Sequence, residues 1–262
     1  MNLTELFLTE FFGTSLLIIL GNGIVANCVL KDTKGNNAGL VAIALGWGFA
    51  VTVSALIASS FNGAPGWFNP AVMVGATIAD KGDLMIQLTG STSGAIGLFF
   101  GLFFVQLLGA MLGQIIIDLL YFKHIQKTLQ TKEEFSTANV LGMHSTSSTF
   151  KGSLFSFTTL LNLLMEFVGT FVLVFAALAM GKFASGTFFG PIVIGIVVIS
   201  IGLSLGGTTG YAINPVRDLG PRIIHMLMPL KEKGKSDWSY SFVPVLAAIL
   251  AGVSVGAIFL LF

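Results

Sequence analysis

Long apolar runs separated by short polar stretches dominate this chain. Six runs reach the roughly 20 residues that a helix needs to cross a bilayer core of about 30 Å, namely residues 5–28, 39–60, 89–122, 157–181, 187–207 and 241–262. Two other apolar runs, 70–80 and 215–226, are too short to cross. At ~1.5 Å per residue each extends only about 17 Å. The pattern predicts six membrane-spanning helices and two half-helices.

Both short runs open with the same dipeptide. Asn69-Pro70 begins the first and Asn214-Pro215 begins the second. Asparagine is a favoured N-cap and proline fits the first helical position, so each dipeptide predicts a helix start. Two half-helices that meet end to end would complete one further span.

A second motif also occurs twice. Glu10-Phe11-Phe12-Gly13-Thr14 in the first span returns as Glu166-Phe167-Val168-Gly169-Thr170 in the fourth, and an Asn-Pro half-helix follows each copy. Three spans in each copy is an odd number, so the second copy enters the membrane from the opposite side. Broken helices at matching points of such an inverted repeat predict a pathway at the membrane midplane. We therefore divide the chain into repeat one (1–122), a linker (123–156) expected to be a solvated loop, and repeat two (157–262).

Composition agrees with a polytopic membrane protein and removes several other classes. The chain is 54% hydrophobic and 10% charged, and its mean hydropathy is +0.90, values typical of a protein solvated by lipid. A net charge of +1 offers no basic face for nucleic acid. One cysteine, Cys28, rules out an internal disulfide, and three scattered histidines predict no metal site. No cofactor is expected.

The charges that do occur within apolar segments are candidates for function. Arg217, Asp218 and Arg222 follow directly behind Asn214-Pro215. A buried arginine is costly in a membrane and marks a functional site by default, although a structural ion pair is the alternative. Asp218 is expected to be a structural partner for Arg222 or nearby backbone. No nucleophile, base and acid group together, so an enzyme is not expected.

Together these residues resemble the aquaporin superfamily along nearly the whole chain. The resemblance rests on Phe68-Asn69-Pro70-Ala71-Val72, Ile213-Asn214-Pro215-Val216-Arg217-Asp218, both Glu-Phe-x-Gly-Thr motifs and Gly46-Trp47-Gly48. Within that superfamily the chain is similar to the aquaglyceroporins, or glycerol facilitators. The resemblance implies an all-α membrane protein with six transmembrane helices and two re-entrant half-helices in an inverted repeat. It also implies a homotetramer in which each protomer holds its own pore for small neutral molecules.

The resemblance assigns roles to individual residues. It implies a selectivity filter of Trp47, Gly202, Tyr211 and Arg217, and central motifs of Asn69, Pro70, Ala71, Asn214, Pro215 and Val216. It also implies that Glu10 and Glu166 accept hydrogen bonds from the re-entrant loops. Three features depart from the family pattern: Val216 replaces the usual alanine, Tyr211 replaces the commoner phenylalanine, and the loop before Asn69 is longer, with Trp67 in place of histidine.

A mechanism follows from these roles. Irregular backbone at membrane depth must line a cavity, so loops 61–69 and 206–214 are expected to line the pore. The planar fork of Arg217 can donate to two adjacent hydroxyls. Across from it, Trp47 and Tyr211 would hold the CH face of the solute, while Gly202 leaves volume for carbon. The positive ends of the half-helix dipoles would exclude cations and protons.

Several alternatives stay open. Glycerol, with water, is the expected solute, but a water-selective pore or one for urea or a small neutral acid such as lactic acid remains possible. A proton-coupled transporter that uses Glu10 or Glu166 is a further alternative. Counting lysines in the loops predicts the opposite orientation to the family arrangement in the plasma membrane. We adopt the family arrangement, because the repeat is the more specific signal.

Overall fold

The computed structural model describes residues 1–61, 64–183 and 189–261. Eleven α-helices occur in these ranges: α1 (Leu3–Val29), α2 (Gly39–Ser59), α3 (Pro70–Ala79), α4 (Asp83–Thr89), α5 (Thr92–Leu120), α6 (Phe122–Thr131), α7 (Ser136–Gly142), α8 (Phe157–Phe183), α9 (Phe189–Leu205), α10 (Pro215–Leu227) and α11 (Phe242–Phe259). The all-α prediction with six long helices and two half-helices is confirmed.

The long helices correspond to the six predicted spans. Five are long and apolar enough to cross a membrane within the described residues: α1, α2, α5, α8 and α11. The sixth, α9, has 17 residues there, which at ~1.5 Å per residue gives about 26 Å. Residues 187 and 188 of that predicted span lie outside the described ranges. Half-helices α3 and α10 begin at Pro70 and Pro215, as the Asn-Pro dipeptides predict.

Helix α4 is absent from the sequence prediction. It lies between the first half-helix and the third long helix, and it is bounded by Gly82 and Gly90 with φ angles of 77° and 76°. Glycine adopts this left-handed backbone without a steric penalty, so the chain turns sharply at both ends of α4. The third long helix consequently starts at Thr92 rather than at residue 89.

The expectation of a solvated loop is wrong for residues 123–146 of the predicted linker. This segment forms α6 and α7, and several of its apolar side chains are buried; Ile125, Val140 and Met143 are 0% exposed, whereas Phe135 is 63% exposed. They pack into the same core cluster as residues of α1, because burial of an apolar face stabilises short helices that would not form alone. Only the following stretch resembles a solvated loop, where Phe150 and Phe155 are 73% and 95% exposed.

Helix packing in one half recurs in the other. Helix α1 packs on α2 and α5, and α8 packs on α9 and α11 in the same way, while α2 and α9 pack on each other. Each half-helix crosses over: α3 packs on α11, and α10 packs on α5. The half-helices are therefore held between the two sets of long helices, where their N-termini can meet.

Glycine permits some of these close approaches. A Cβ atom at Gly109 or Gly113 of α5 would clash with the backbone oxygens of Phe11 and Ser15 of α1. The two glycines therefore allow α1 and α5 to pack closely. Gly97, on the same helix, has no such contact, because no atom lies within 4 Å of the place where its Cβ would be.

Candidate functional site

The two half-helices meet through their asparagines. The Oδ1 atom of Asn69 accepts from the backbone N–H of Ala71 at 2.9 Å, and that of Asn214 accepts from Val216 at 3.1 Å. Each Nδ2 donates to the opposite loop, Asn69 to the Ile213 oxygen and Asn214 to the Phe68 oxygen, both at 2.8 Å. An amide carries two N–H donors, so each asparagine keeps one for the adjoining cavity.

The loops that precede the asparagines have unusual backbone geometry. Phe68 and Ile213, one residue before each asparagine, have φ angles of 49° and 45°. Three residues before each asparagine, Gly66 has a φ of 58° and Tyr211 a φ of 39°. Left-handed backbone costs a non-glycine residue roughly 1–2 kcal/mol, so Phe68, Tyr211 and Ile213 are strained. Such strain is characteristic of functional sites and needs strong surrounding contacts.

Two buried glutamates supply these contacts. The carboxylate of Glu10 accepts from the backbone N–H groups of Trp67 and Phe68, each at 2.8 Å. Glu166 accepts from Ala212 at 3.0 Å and from Ile213 at 2.9 Å. Both carboxylates are 0% exposed. Each one therefore satisfies two consecutive buried donors that the irregular backbone would otherwise leave unpaired.

The glycine of the repeated Glu-Phe-x-Gly-Thr motif also contacts the loops. A Cβ at Gly13 would overlap the ring of Phe68, and one at Gly169 would lie 3.0 Å from Ile213 Cγ2. The motif thus provides a carboxylate for the loop backbone and, three residues later, space for the side chain before Asn-Pro. This geometry gives a physical reason for the repeat.

One cavity of about 630 Å³ is lined by five of the predicted site residues. Trp47, Asn69, Tyr211, Asn214 and Arg217 all line it, together with apolar side chains of α8 and α9. Residues 64–69 and 211–214 of the two loops are in the lining. Residues 62 and 63 of the predicted first loop lie outside the described residues.

Arg217 and Trp47 are in direct contact. The guanidinium carbon lies 4.2 Å from the centroid of the indole ring, in cation–π geometry. The resemblance implied that Trp47 faces Arg217 from the opposite side of the pore. In the structure the two side chains are stacked on each other instead. Arg217 is only 5% exposed, so stacking on the indole compensates part of the cost of burying its charge.

Gly202 contacts the second aromatic residue rather than the cavity itself. A Cβ at Gly202 would lie 2.9 Å from Tyr211 Cζ, and one at Gly206 would lie 2.6 Å from Tyr211 Cδ1. The absence of side chains at these two glycines therefore leaves the space that the tyrosine ring occupies. Trp47 packs against a glycine in the same way, since a Cβ at Gly21 would overlap its indole.

Asp218 and Arg222 form a buried ion pair behind the filter. Arg222 Nη2 lies 2.8 Å from Asp218 Oδ1, and both side chains are 0% exposed. The guanidinium also donates to the backbone oxygens of Thr146 at 2.8 Å and Ser236 at 2.7 Å. The predicted structural role of Asp218 is confirmed: its other oxygen accepts from Thr146 at 2.8 Å.

Comparison with known proteins decides the family. The sequence profile of the major intrinsic protein family matches residues 1–255. The chain belongs to the major intrinsic protein family. As a member it is an integral membrane channel and not an enzyme.

Relatives of this family member carry consistent names. Glycerol uptake facilitator protein 3 of Lactiplantibacillus plantarum is 44% identical, over 96% of this chain and 93% of the relative. A glycerol uptake facilitator protein of Streptococcus pneumoniae is 40% identical, over 99% and 100%. The solved aquaglyceroporin of Plasmodium falciparum shares the fold with a TM-score of 0.73 and 26% identity, over 98% and 96%.

The atypical Val216 of this major intrinsic protein fits without disturbing the centre. Val216 is 0% exposed and packs in the main core cluster. The two reciprocal asparagine bonds are equal at 2.8 Å, so the half-helices approach each other symmetrically despite the larger side chain.

Sequence reasoning missed the contribution of the linker to the site. The backbone oxygen of His144 accepts from Arg217 Nη1 at 3.4 Å, and Thr146 binds Asp218 through both its backbone N–H and its hydroxyl, at 2.8 and 2.7 Å. The available signal was the apolar spacing of Ile125 with Leu129, which is typical of a packed helix face. That spacing indicates burial but does not identify the pore residue that the linker contacts.

Proposed function

We propose that this chain is a passive channel for glycerol, and that water passes through the same pore. The observation that carries the proposal is that Trp47, Tyr211 and Arg217 line one cavity, with the Arg217 guanidinium stacked on the Trp47 indole. The Tyr211 hydroxyl is buried, and among the described residues it has no hydrogen-bond partner. A buried polar group of this kind is costly unless something pairs with it. Because its oxygen is closed off in this conformation, the ring would have to turn toward the cavity before a polyol hydroxyl beside Arg217 could pair with it.

The filter residues would share the recognition of one solute. The guanidinium of Arg217 donates to adjacent hydroxyls, and the Tyr211 hydroxyl adds a further polar contact. The exposed parts of the two rings contact the carbon side. Gly202 acts indirectly by setting the position of the Tyr211 ring. The relatives named glycerol uptake facilitators support glycerol as the solute.

The centre of the pore would exclude ions. Both half-helices present their N-termini at Asn69 and Asn214, so the positive ends of their dipoles converge there. A cation would lose water and meet this field without compensation. Neutral solutes meet the free amide N–H groups instead and can pass.

The proposed assembly is a homotetramer in the lipid bilayer of the plasma membrane. Large apolar side chains on the outer surface support contact with lipid or with other copies of the chain; Phe12, Phe49, Phe100 and Phe104 are each more than half exposed. The proposed division is one channel domain, with repeats over 1–122 and 157–262 and the linker 123–156 between them.

A solute series tests the proposed selectivity. Purified protein in liposomes is exposed to gradients of glycerol, urea and lactic acid, and solute entry is followed by light scattering. We expect glycerol to enter faster than urea or lactic acid, because only glycerol offers adjacent hydroxyls to Arg217 and Tyr211 together with an apolar edge. Faster entry of urea or of the protonated acid would reassign the channel to that solute.

Replacement of Glu10 by glutamine separates a channel from a proton-coupled transporter. The carboxylate already accepts from Trp67, Phe68 and Gln106, so a structural role is expected. The glutamine amide would face a backbone donor, at a cost of about 1–3 kcal/mol in the free energy of unfolding. Labelled glycerol should equilibrate without accumulating under a pH gradient in both proteins. Accumulation in the wild type that is lost in E10Q would instead establish a transporter.

A further inference from the structure

We propose that Asp118 and His144 are positioning residues for the filter arginine and thereby set the preference of the pore for glycerol over water. The inference rests on the proposed function and adds a polar network that begins on α5 and ends at Arg217. Neither side chain lines the cavity that the filter residues share. They act through the backbone of the linker.

The network starts from the imidazole of His144, which is 0% exposed. Its Nδ1 atom lies 2.7 Å from the Val140 oxygen, and its Nε2 atom lies 3.1 Å from Asp118 Oδ1. The ring is therefore held at both nitrogens. The ring also packs edge to face with that of His225 of α10, with the ring centroids 4.9 Å apart.

Two amides close the network into a ring of hydrogen bonds. Gln114 Nε2 donates to Asp118 at 2.8 Å, and Asn22 Nδ2 donates to the Gln114 oxygen at 2.6 Å. Asn22 Nδ2 also donates to the backbone oxygen of His144 at 3.1 Å. The side chain of His144 is thus tied to α5, and its own carbonyl is tied to α1.

That same carbonyl is the acceptor for Arg217. The distance from Arg217 Nη1 to the His144 oxygen is 3.4 Å, so the oxygen is shared between the filter arginine and Asn22. The hydrogen-bond network already fixes the His144 oxygen, so binding Arg217 does not require a further loss of backbone entropy. An oxygen on a free loop would orient the guanidinium less well. With the indole of Trp47 on its face, the guanidinium is located by two contacts.

Recognition of a polyol depends on this location more than passage of water does. Glycerol must meet the donors of Arg217 and the Tyr211 hydroxyl at the same time, whereas a single water molecule can adapt to a displaced donor. A small displacement of a positioned group lowers the rate of the event it supports even when the group itself is retained. Loss of the network should therefore reduce glycerol flux selectively.

Asp118→Ala in full-length protein in liposomes tests the proposal, with water and glycerol permeability measured on the same preparation. We expect glycerol permeability to fall about fivefold, the factor equivalent to one lost hydrogen bond of about 1 kcal/mol. Water permeability should stay within about twofold, since water needs no fixed pair of donors. Asp118→Asn keeps the volume and one acceptor oxygen for His144, and it should restore the wild-type permeability ratio.

The outcomes distinguish this proposal from the function on which it rests. Equal loss of both fluxes in D118A, an unchanged glycerol flux, or failure of D118N to restore the ratio would overturn the positioning role. If D118A does not fold, His144→Phe keeps the ring volume and removes the hydrogen bonds, so the same comparison applies to it. Absence of glycerol flux in the wild type would reject the proposed function itself.

Discussion

Replacement of Gly202 by phenylalanine is expected to lower glycerol permeability by about tenfold or more, because overpacking a fitted site costs ~1–3 kcal/mol. Even a Cβ at this position would lie 2.9 Å from Tyr211 Cζ and 3.0 Å from its hydroxyl oxygen. The tyrosine ring is the movable partner, and it can move only away from α9. We expect it to narrow the slot beside Arg217, so that water permeability falls less than glycerol permeability.

Gly207→Phe provides the matched control. Gly207 lies five positions further along, is exposed, and has no atom within 4 Å of its Cβ position. The water and glycerol permeabilities of this variant, measured by stopped-flow light scattering of liposomes, should equal those of the wild type. An equal loss of water and glycerol permeability in G202F would mean that the packing of Tyr211 against Gly202 does not determine selectivity.

Replacement of Arg222 by methionine is expected to reduce the free energy of unfolding by about 3–5 kcal/mol, the usual cost of removing one partner from a buried ion pair. Asp218 would keep its hydrogen bonds from Thr146 but would remain as an uncompensated charge in a site that is 0% exposed. The backbone oxygens of Thr146 and Ser236 would also lose their donor. Denaturation in detergent, followed by tryptophan fluorescence, measures the change.

Two controls identify the cause of that loss. The double variant with Asp218→Asn removes both charges and should recover part of the stability. Lys127→Met removes a partly exposed partner of Asp32, at a distance of 3.9 Å, and should change the free energy of unfolding by less than about 1 kcal/mol. An R222M protein as stable as the wild type would show that the buried pair does not hold the linker to α10.

The parts of the fold that could be predicted are those with a local signal. Asn-Pro defined both half-helix starts, since capping depends on two adjacent residues. Run length defined the six long helices. Helix α4 was missed because its limits depend on the backbone of Gly82 and Gly90, and a glycine in the sequence does not reveal which φ angle it adopts.

The site was predictable to the same extent. The motifs singled out Trp47, Tyr211 and Arg217 as filter residues, and all three line the same cavity, while their role in selectivity stays a prediction. The contact between Arg217 and Trp47 could not be predicted, because it depends on rotamers. The linker was misjudged because its polar composition indicates solvent, whereas its packing depends on contacts between residues about 73 positions apart, as in the pair His144 and Arg217.

One measurement tests the central claim most directly: stopped-flow light scattering of liposomes that contain the purified wild-type protein. An impermeant osmolyte first drives water out, and a glycerol gradient is then applied to the same preparation. The proposed filter predicts rapid shrinkage in the first step and rapid re-swelling, well above that of protein-free liposomes, in the second. Rapid shrinkage without re-swelling would contradict the account, since it would show a channel that passes water but not glycerol.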